Sequence, residues 1–319
     1  MSLPLQPPLP PQLALSRRQL PDGPGFAYEI KLDGFRCVAF VDGEELFLQS
    51  RNGRPLGRYF PELVLPPGRY VLDGEIVVRD AAGREDFDAL GQRIHPAASR
   101  VQMLSEQTPA VFVAFDLLAR EDEPLLELPF AERRGRLEEL VGDGPFAAAP
   151  AELMATVASS EEARVWLQQA EGAIAKELDA PYRPGERKGM VKVKRVRTID
   201  AVVVGWRPGK HEGTVGALIL GLYDGGELRV VGHCSGLTAS EKRRLVGFLR
   251  PYETGERGSG DPSRWSSGRD LEWVALRPEL VVEIDFDHVS AGRIRHGAKL
   301  RRWREDKDPA ECTFAQLGS

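Results

Sequence analysis

Cysteine is scarce in this 319-residue chain: Cys37, Cys234 and Cys312 stand far apart, odd in number and without a C-x-x-C pair. Neither a disulfide framework nor a cysteine-built zinc site is expected, and a reducing cytoplasm fits. The five histidines show no metal-ligand spacing. No apolar run approaches the roughly 20 residues that a membrane helix needs. The opening MSLPLQPPLPPQLALSRRQL is cut by prolines and carries its arginines after the apolar part, the reverse of a secretory signal. An excess of positive charge is missing too: the formal net charge is −5, so a polyanion must be met locally. Gly205-Trp206-Arg207-Pro208-Gly209-Lys210 has too few residues between its glycines for a P-loop, and His211 follows where Ser or Thr is required.

What is present is the balance of a folded chain, 42% hydrophobic and 29% charged, at a length where one core gives way to two domains. Residues 1–196 carry 24 Lys and Arg against 30 Asp and Glu, and residues 197–319 carry 19 against 18. Positive charge gathers in two stretches, seven basic residues from Arg183 to Arg197 and seven from Arg293 to Lys307. By themselves these read as two solvated faces.

An α+β fold in two domains is expected. Residues 1–197 begin with an extended, proline-rich lead-in (1–24) and continue as antiparallel strands with helices. FAYEIKLDGFRCVAFVDGEELFLQSRNG alternates as strands with an Asp42-Gly43 hairpin turn, and YVLDGEIVV and AVFVAFDLL are runs of strand length. FAERRGRLEELV and SSEEARVWLQQA have helical periodicity, the second with Ser159 and Glu162 spaced as a capping box. Residues 198–319 read as a small β-barrel with one helix, such as an OB-fold: three strand regions, an Asp-Gly-Gly hairpin and a capped helix from Thr238. Residues 253–270, rich in Gly, Ser and charge, read as a mobile surface loop.

The sharpest local pattern is Lys31-Leu32-Asp33-Gly34-Phe35-Arg36, a lysine at a strand end followed by a turn bearing a carboxylate and an arginine. Taken alone, it also describes a lysine paired with the Asp of an ordinary Asp-Gly turn. Further polar groupings follow in order: Ser50-Arg51-Asn52-Gly53, Asp73-Gly74-Glu75, FVAFD at 112–116, EGAIAK at 171–176, Lys192-Val193-Lys194 and Arg304-Glu305-Asp306-Lys307. In this order they resemble the motif series of covalent nucleotidyltransferases. From about Phe26 to Thr313 the chain resembles the short two-domain bacterial ATP-dependent DNA ligases of the ligase C type, and the ligase module of bacterial end-joining proteins.

The resemblance implies an adenylyltransferase domain followed by an OB-fold domain. It makes Lys31 the nucleophile that takes AMP from ATP, which requires the neutral amine. It assigns Glu29 to the adenine edge, Arg36 and Arg51 to the nucleotide, and Phe115 to a stack on the adenine ring. Glu29 in a strand equally suits a cross-strand ion pair, and Phe115 equally suits the core. Glu75 and Glu171, each beside a glycine, are expected to hold Mg2+, with Mn2+ as substitute. Lys192 and Lys194 alternate in a strand and so share a face, as phosphate contacts would. Arg187 resembles the arginine that meets the nucleotide or the nick phosphate, and Met190 stands where many relatives have tryptophan. Arg304, Asp306 and Lys307 match the motif that closes over ATP and orients pyrophosphate; otherwise they are a charged, solvated strand end. Asp73 is read as structural.

The implied partners are nicked duplex DNA, gripped through backbone phosphates in a salt-sensitive way, and repair proteins that recruit a weakly binding enzyme. A cytoplasmic, nucleoid-associated monomer without a membrane partner is expected. RNA ligases and RNA-capping guanylyltransferases share the lysine motif and remain rivals, separable by nucleotide and strand preference. A non-catalytic DNA-binding scaffold is opposed by the intact Lys31, Glu75 and Glu171.

Overall fold

Alternating apolar residues from Phe26 onward fold as strands, and the chain divides into two units, residues 1–195 and 196–319. The computed structural model describes residues 2–95, 97–142, 144–259, 272–287, 289–290, 292–294 and 297–318. In the first unit the elements are β1 (Leu15–Ser16), β2 (Phe26–Ile30), β3 (Phe35–Gly43), β4 (Glu45–Ser50), β5 (Gly68–Val78), α1 (Phe87–Gln92), α2 (Ala98–Gln107), β6 (Ala110–Arg120), β7 (Glu123–Pro124), α3 (Phe130–Val141), β8 (Ala151–Leu153), β9 (Thr156–Val157), α4 (Ser160–Arg164), α5 (Trp166–Gln169), β10 (Gly172–Glu177) and β11 (Met190–Lys194).

They form two sheets. One runs β1-β11-β10-β2-β9; the other runs β4-β3-β5-β6-β7, with β8 added beside β6. The main core of the unit lies on one face of the second sheet, where Cys37, Ala39, Leu72, Ile76, Phe112 and Leu117 meet Leu90 and Leu137 from the helices. Burying such apolar surface is the main force holding the unit together.

Several expectations shift. The β3–β4 hairpin pairs Asp42 with Glu45, so its turn is Gly43-Glu44, with Gly43 at φ +66°. Ser159 caps α4, but it accepts from the Glu161 N–H rather than from Glu162, and the helical run breaks at Val165 into α4 and α5. Helices α1 and α2 were not foreseen. The lead-in is extended but not free: Leu3 is buried beside Val38, Phe40 and Val71, and Leu15-Ser16 pair in parallel with Val191-Lys192.

The second unit comprises β12 (Arg197–Pro208), β13 (Val215–Asp224), β14 (Glu227–Gly236), α6 (Ala239–Leu249), β15 (Glu253–Ser259), β16 (Glu272–Leu276), β17 (Val281–Phe286), β18 (Val289–Ser290), β19 (Arg293–Ile294) and β20 (Ala298–Trp303). Strands pair in the order β12-β13-β14-β20-β17 and return to β12, with β14–β20 parallel, which closes a five-stranded barrel with α6 between its third and fourth strands. This is an OB-fold. Thr238 and Glu241 cap α6 reciprocally. Of the expected loop 253–270, Glu253–Ser259 is strand β15, and the rest lies outside the described residues.

Candidate active site

Register places one row of side chains after another on a single face of the first sheet. Ile174 of β10 pairs with Glu29 on one side and Lys192 on the other, and Lys176 pairs with Ala27 and Met190. The Lys31 N–H extends the ladder by donating to the Gly172 carbonyl at 2.9 Å, and Gly172 pairs with Lys194. Because alternate residues share a face, Glu29, Lys31, Ile174, Lys176, Lys192 and Lys194 all project together. Gly172 permits this approach: it sits at φ +145°, and a Cβ there would lie 2.2 Å from the Val193 carbonyl oxygen.

The second sheet supplies the opposing wall. Arg36 of β3 stands across from Glu75 of β5. In β6, Asp116 pairs with Asp73 and Ala114 with Gly74, so Phe115 is the extra residue of a bulge. A bulge re-aims its side chain. Here the ring turns into the cleft, with the Arg36 guanidinium carbon and Lys176 Nζ each 4.5 Å from its centroid. Gly34 and Gly74 have no room for a side chain, since a Cβ on Gly34 would lie 2.4 Å from the Ile76 carbonyl and one on Gly74 2.4 Å from the Phe112 ring.

Between the walls is a cleft of about 190 Å³, lined by Glu29, Lys31, Arg36, Arg51, Glu75, Phe115, Arg187 and Lys192, and also by Gln12, Leu13, Ala14, Met154 and Lys176. Glu171 and Lys194 stand beside it: the Glu171 carboxylate is 3.7 Å from Lys31 Nζ and 3.9 Å from Lys194 Nζ. Lys31 Nζ donates to the Leu32 carbonyl at 3.2 Å. Burial, then the neighbouring cations Lys194, Lys31, Arg51 and Arg187, hold the Lys192 pKa below that of a free lysine. Burial pushes the Glu75 carboxyl up to about 7, with Asp73 and Asp33 adding to the rise and Arg36 and Lys31 opposing it. Arg36 is fixed by Asp73, Nε to Oδ1 and Nη2 to Oδ2 both at 2.7 Å, while Tyr182 donates to the same carboxylate at 2.6 Å.

A family model for the ATP dependent DNA ligase domain matches residues 12–194, and one for the ATP dependent DNA ligase C terminal region matches residues 211–307. The chain belongs to the ATP-dependent DNA ligases. It is of their short two-domain kind: DNA ligase C1 of Mycolicibacterium smegmatis is 46% identical over 99% of this chain and 96% of that protein. DNA ligase C of Mycobacterium tuberculosis is 43% identical over the same shares. Among solved structures, mycobacterial DNA ligase D complexed with ATP and MES aligns with a TM-score of 0.54 at 29% identity, over 96% of this chain and 98% of that one.

The carboxylates that would hold a magnesium ion in this ligase are few. Among the described residues no three His, Cys, Asp or Glu side chains converge on a point. Magnesium, however, commonly takes one or two carboxylates and completes its shell with water and phosphate oxygens. Glu75 and Glu171 are hard oxygen donors near Lys31: the Glu171 carboxylate lies 3.7 Å from its amine, and Glu75 lines the same cleft.

Arg304, Asp306 and Lys307 lie in the second unit of the ligase, following β20. Arg304 donates through Nη1 to Asp200 at 2.8 and 2.9 Å, and through Nε and Nη2 to Asp306 at 2.9 Å each. Hydrogen bonding from Arg304 draws the Asp306 carboxyl down to about 2. Lys307 pairs with Glu311.

Sequence reasoning missed the lead-in wall. The Gln12 carbonyl accepts from Arg36 at 3.3 Å, the Gln12 N–H donates to Tyr182 at 2.9 Å, and Leu13 and Ala14 complete the lining. No motif signalled this; a short alternating LALS after the prolines was the one available sign.

Proposed function

We propose that this ligase joins a 5'-phosphate to a 3'-hydroxyl at nicks in duplex DNA by way of AMP carried on Lys31. The supporting observation is the cation cluster of Lys31, Arg51, Arg187, Lys192 and Lys194 at one cleft, a concentration of positive charge suited to a polyphosphate; burial first and these neighbours second lower the Lys192 pKa. In this reading the Lys31 amine attacks the α-phosphorus of ATP. The phosphorus–nitrogen bond forms, the bond to pyrophosphate breaks and the amine gives up a proton. AMP then passes to the 5'-phosphate, and the 3'-hydroxyl displaces it.

Glu29 reads the base edge, Phe115 flanks the ring, and Arg36, Arg51, Arg187, Lys192 and Lys194 neutralise phosphate charge in the transition state. Glu75 and Glu171 would hold Mg2+ or Mn2+, which would offset charge on the phosphoryl oxygens. Arg304, Asp306 and Lys307 serve the first step. The ligase works in the cytoplasm as a monomer on the nucleoid, brought to nicks by repair proteins.

Mass analysis after incubation with ATP and magnesium tests the reading. One added AMP mapping to Lys31, absent from Lys31→Ala, is the expected result. Adduct formation by Lys31→Ala would overturn the assignment, and labelling with GTP in place of ATP would favour a capping enzyme.

A further inference from the structure

Lys176 closes the EGAIAK segment and is almost wholly buried, at 5% exposure. In the sheet it is the diagonal neighbour of Glu29, since Glu29 pairs with Ile174 and Lys176 with Ala27. Its ammonium donates to Glu29 Oε1 at 2.9 Å and to the Phe115 carbonyl at 3.0 Å, and lies 4.5 Å from the centroid of the Phe115 ring and 4.6 Å from that of Phe130. One cation thus ties together the carboxylate and the aromatic residue of the base pocket.

We propose that Lys176 is a positioning residue for nucleotide choice, keeping the Glu29 carboxylate charged and fixed so that the pocket accepts a purine with a 6-amino group and rejects one with a 6-oxo group. The inference rests on the reading that Glu29 meets the base. An ionised carboxylate only accepts hydrogen bonds, whereas a protonated one also donates. Adenine offers a 6-amino donor to an acceptor. Hypoxanthine puts a carbonyl oxygen at the same place, and two acceptors then face each other without a proton. A site built to pair a polar group discriminates strongly against the analogue that leaves it unpaired.

Keeping that charge requires a partner. Burial raises the Glu29 pKa, and the charged groups that act on it are Lys176 from β10 and Arg134 from α3, which lower it, and Asp116 from β6, which raises it. Lys176 is the largest of the lowering influences. Asp116 is itself neutralised by Arg133, whose Nε and Nη2 donate to its two oxygens at 2.8 and 2.9 Å. Without the Lys176 ammonium, Glu29 becomes a buried carboxylate short of compensation and takes up a proton more readily.

The test follows formation of the covalent Lys31–nucleotide adduct with ATP and with ITP from pH 6 to 9, in the wild type, K176R, K176M and E29Q. The expected result is that K176R keeps the preference for ATP. In K176M the preference falls at least tenfold at pH 7, chiefly through a higher half-saturating ATP concentration, and returns as pH rises and Glu29 deprotonates. In E29Q the preference is lost at every pH. An unchanged ATP-to-ITP ratio in K176M beside an altered one in E29Q overturns the role of Lys176 and leaves the base reading of Glu29 standing. An unchanged ratio in E29Q overturns that reading. If thermal melting shows K176M to be unfolded, K176Q, which keeps a donor without the charge, takes its place under the same criteria.

Discussion

Glu171 stands 3.7 Å from the amine of Lys31 and 3.9 Å from that of Lys194, so one carboxylate reaches two lysines that flank Gly172 in the strand ladder. A cation bound at Glu171 would compete with both lysines for its oxygens. Glu75→Gln and Glu171→Gln are therefore expected to raise the magnesium concentration for half-maximal adenylylation, each by about tenfold or more, the loss typical of a disturbed metal shell. Titrating the adenylylation rate with magnesium checks this. Wild-type curves for both variants would remove the two carboxylates from the metal site.

The elevated pKa of Glu75 fixes the sign of a pH effect. The group takes up its proton at about 7 in the folded ligase instead of 4.5, so its contribution to stability is full below 4.5 and is lost as pH rises through 7. At most this is about 3 kcal/mol. In the nucleotide-free ligase with a chelator present, the Tm of the wild type should fall relative to Glu75→Gln by several degrees between pH 4.5 and 7.5. A difference in Tm that stays flat with pH would mean the carboxylate is not buried as described.

Two glycines should respond oppositely to alanine. Gly172→Ala forces a Cβ to 2.2 Å from a backbone oxygen at φ +145°, so β10 and β11 must part, at a cost of about 2 kcal/mol or more. Gly135 lies within α3 with nothing within 4 Å of the Cβ position, and alanine there should stabilise by about 0.5–1 kcal/mol. Chemical denaturation of the two variants is decisive, and equal behaviour would contradict the strand approach at Gly172.

Arg304→Ala and Asp306→Ala should block self-adenylylation and spare sealing of a nick that already carries 5'-AMP, whereas Lys192→Ala should impair both steps. Because Arg304 also ion-pairs with Asp200, Asp200→Asn measures what loss of that pair alone does to the second unit. Equal loss in the two assays for the Arg304 and Asp306 variants would show that the segment supports folding or DNA binding instead.

Strongly patterned elements were legible in the sequence: α3 and the capped α6 by their helical periodicity, the β3–β4 hairpin by its alternation, and β5, β6 and β13, which are buried on both faces, as apolar runs of strand length. Motif glycines were legible as well, and the collisions awaiting a Cβ at Gly34 and Gly74 show why those positions tolerate nothing larger. Phe115 was named through the resemblance, but the bulge that aims its ring was not legible, because it depends on the register of β5 against β6 and leaves no mark in the local alternation. Helices α1 and α2 were missed because, among the described residues, they bury few side chains, Leu90 in the first and Val101, Leu104 and Ser105 in the second. At Glu29 the ion pair is what the structure shows, with Lys176 engaging Oε1 of a side chain that lines the cleft.

The strand order β1-β11-β10-β2-β9 joins residues 15–16 to residues 191–192 and 26–30 to 172–177. On the ribosome, the lysine motif emerges long before the strands that flank it, and the first sheet cannot close until residue 194 has left the exit tunnel. Such non-local pairing is slow to form. A nascent chain halted before β10 would carry the Lys31 motif without a nucleotide cleft, so acquisition of ATP binding during synthesis would report completion of the entire first unit.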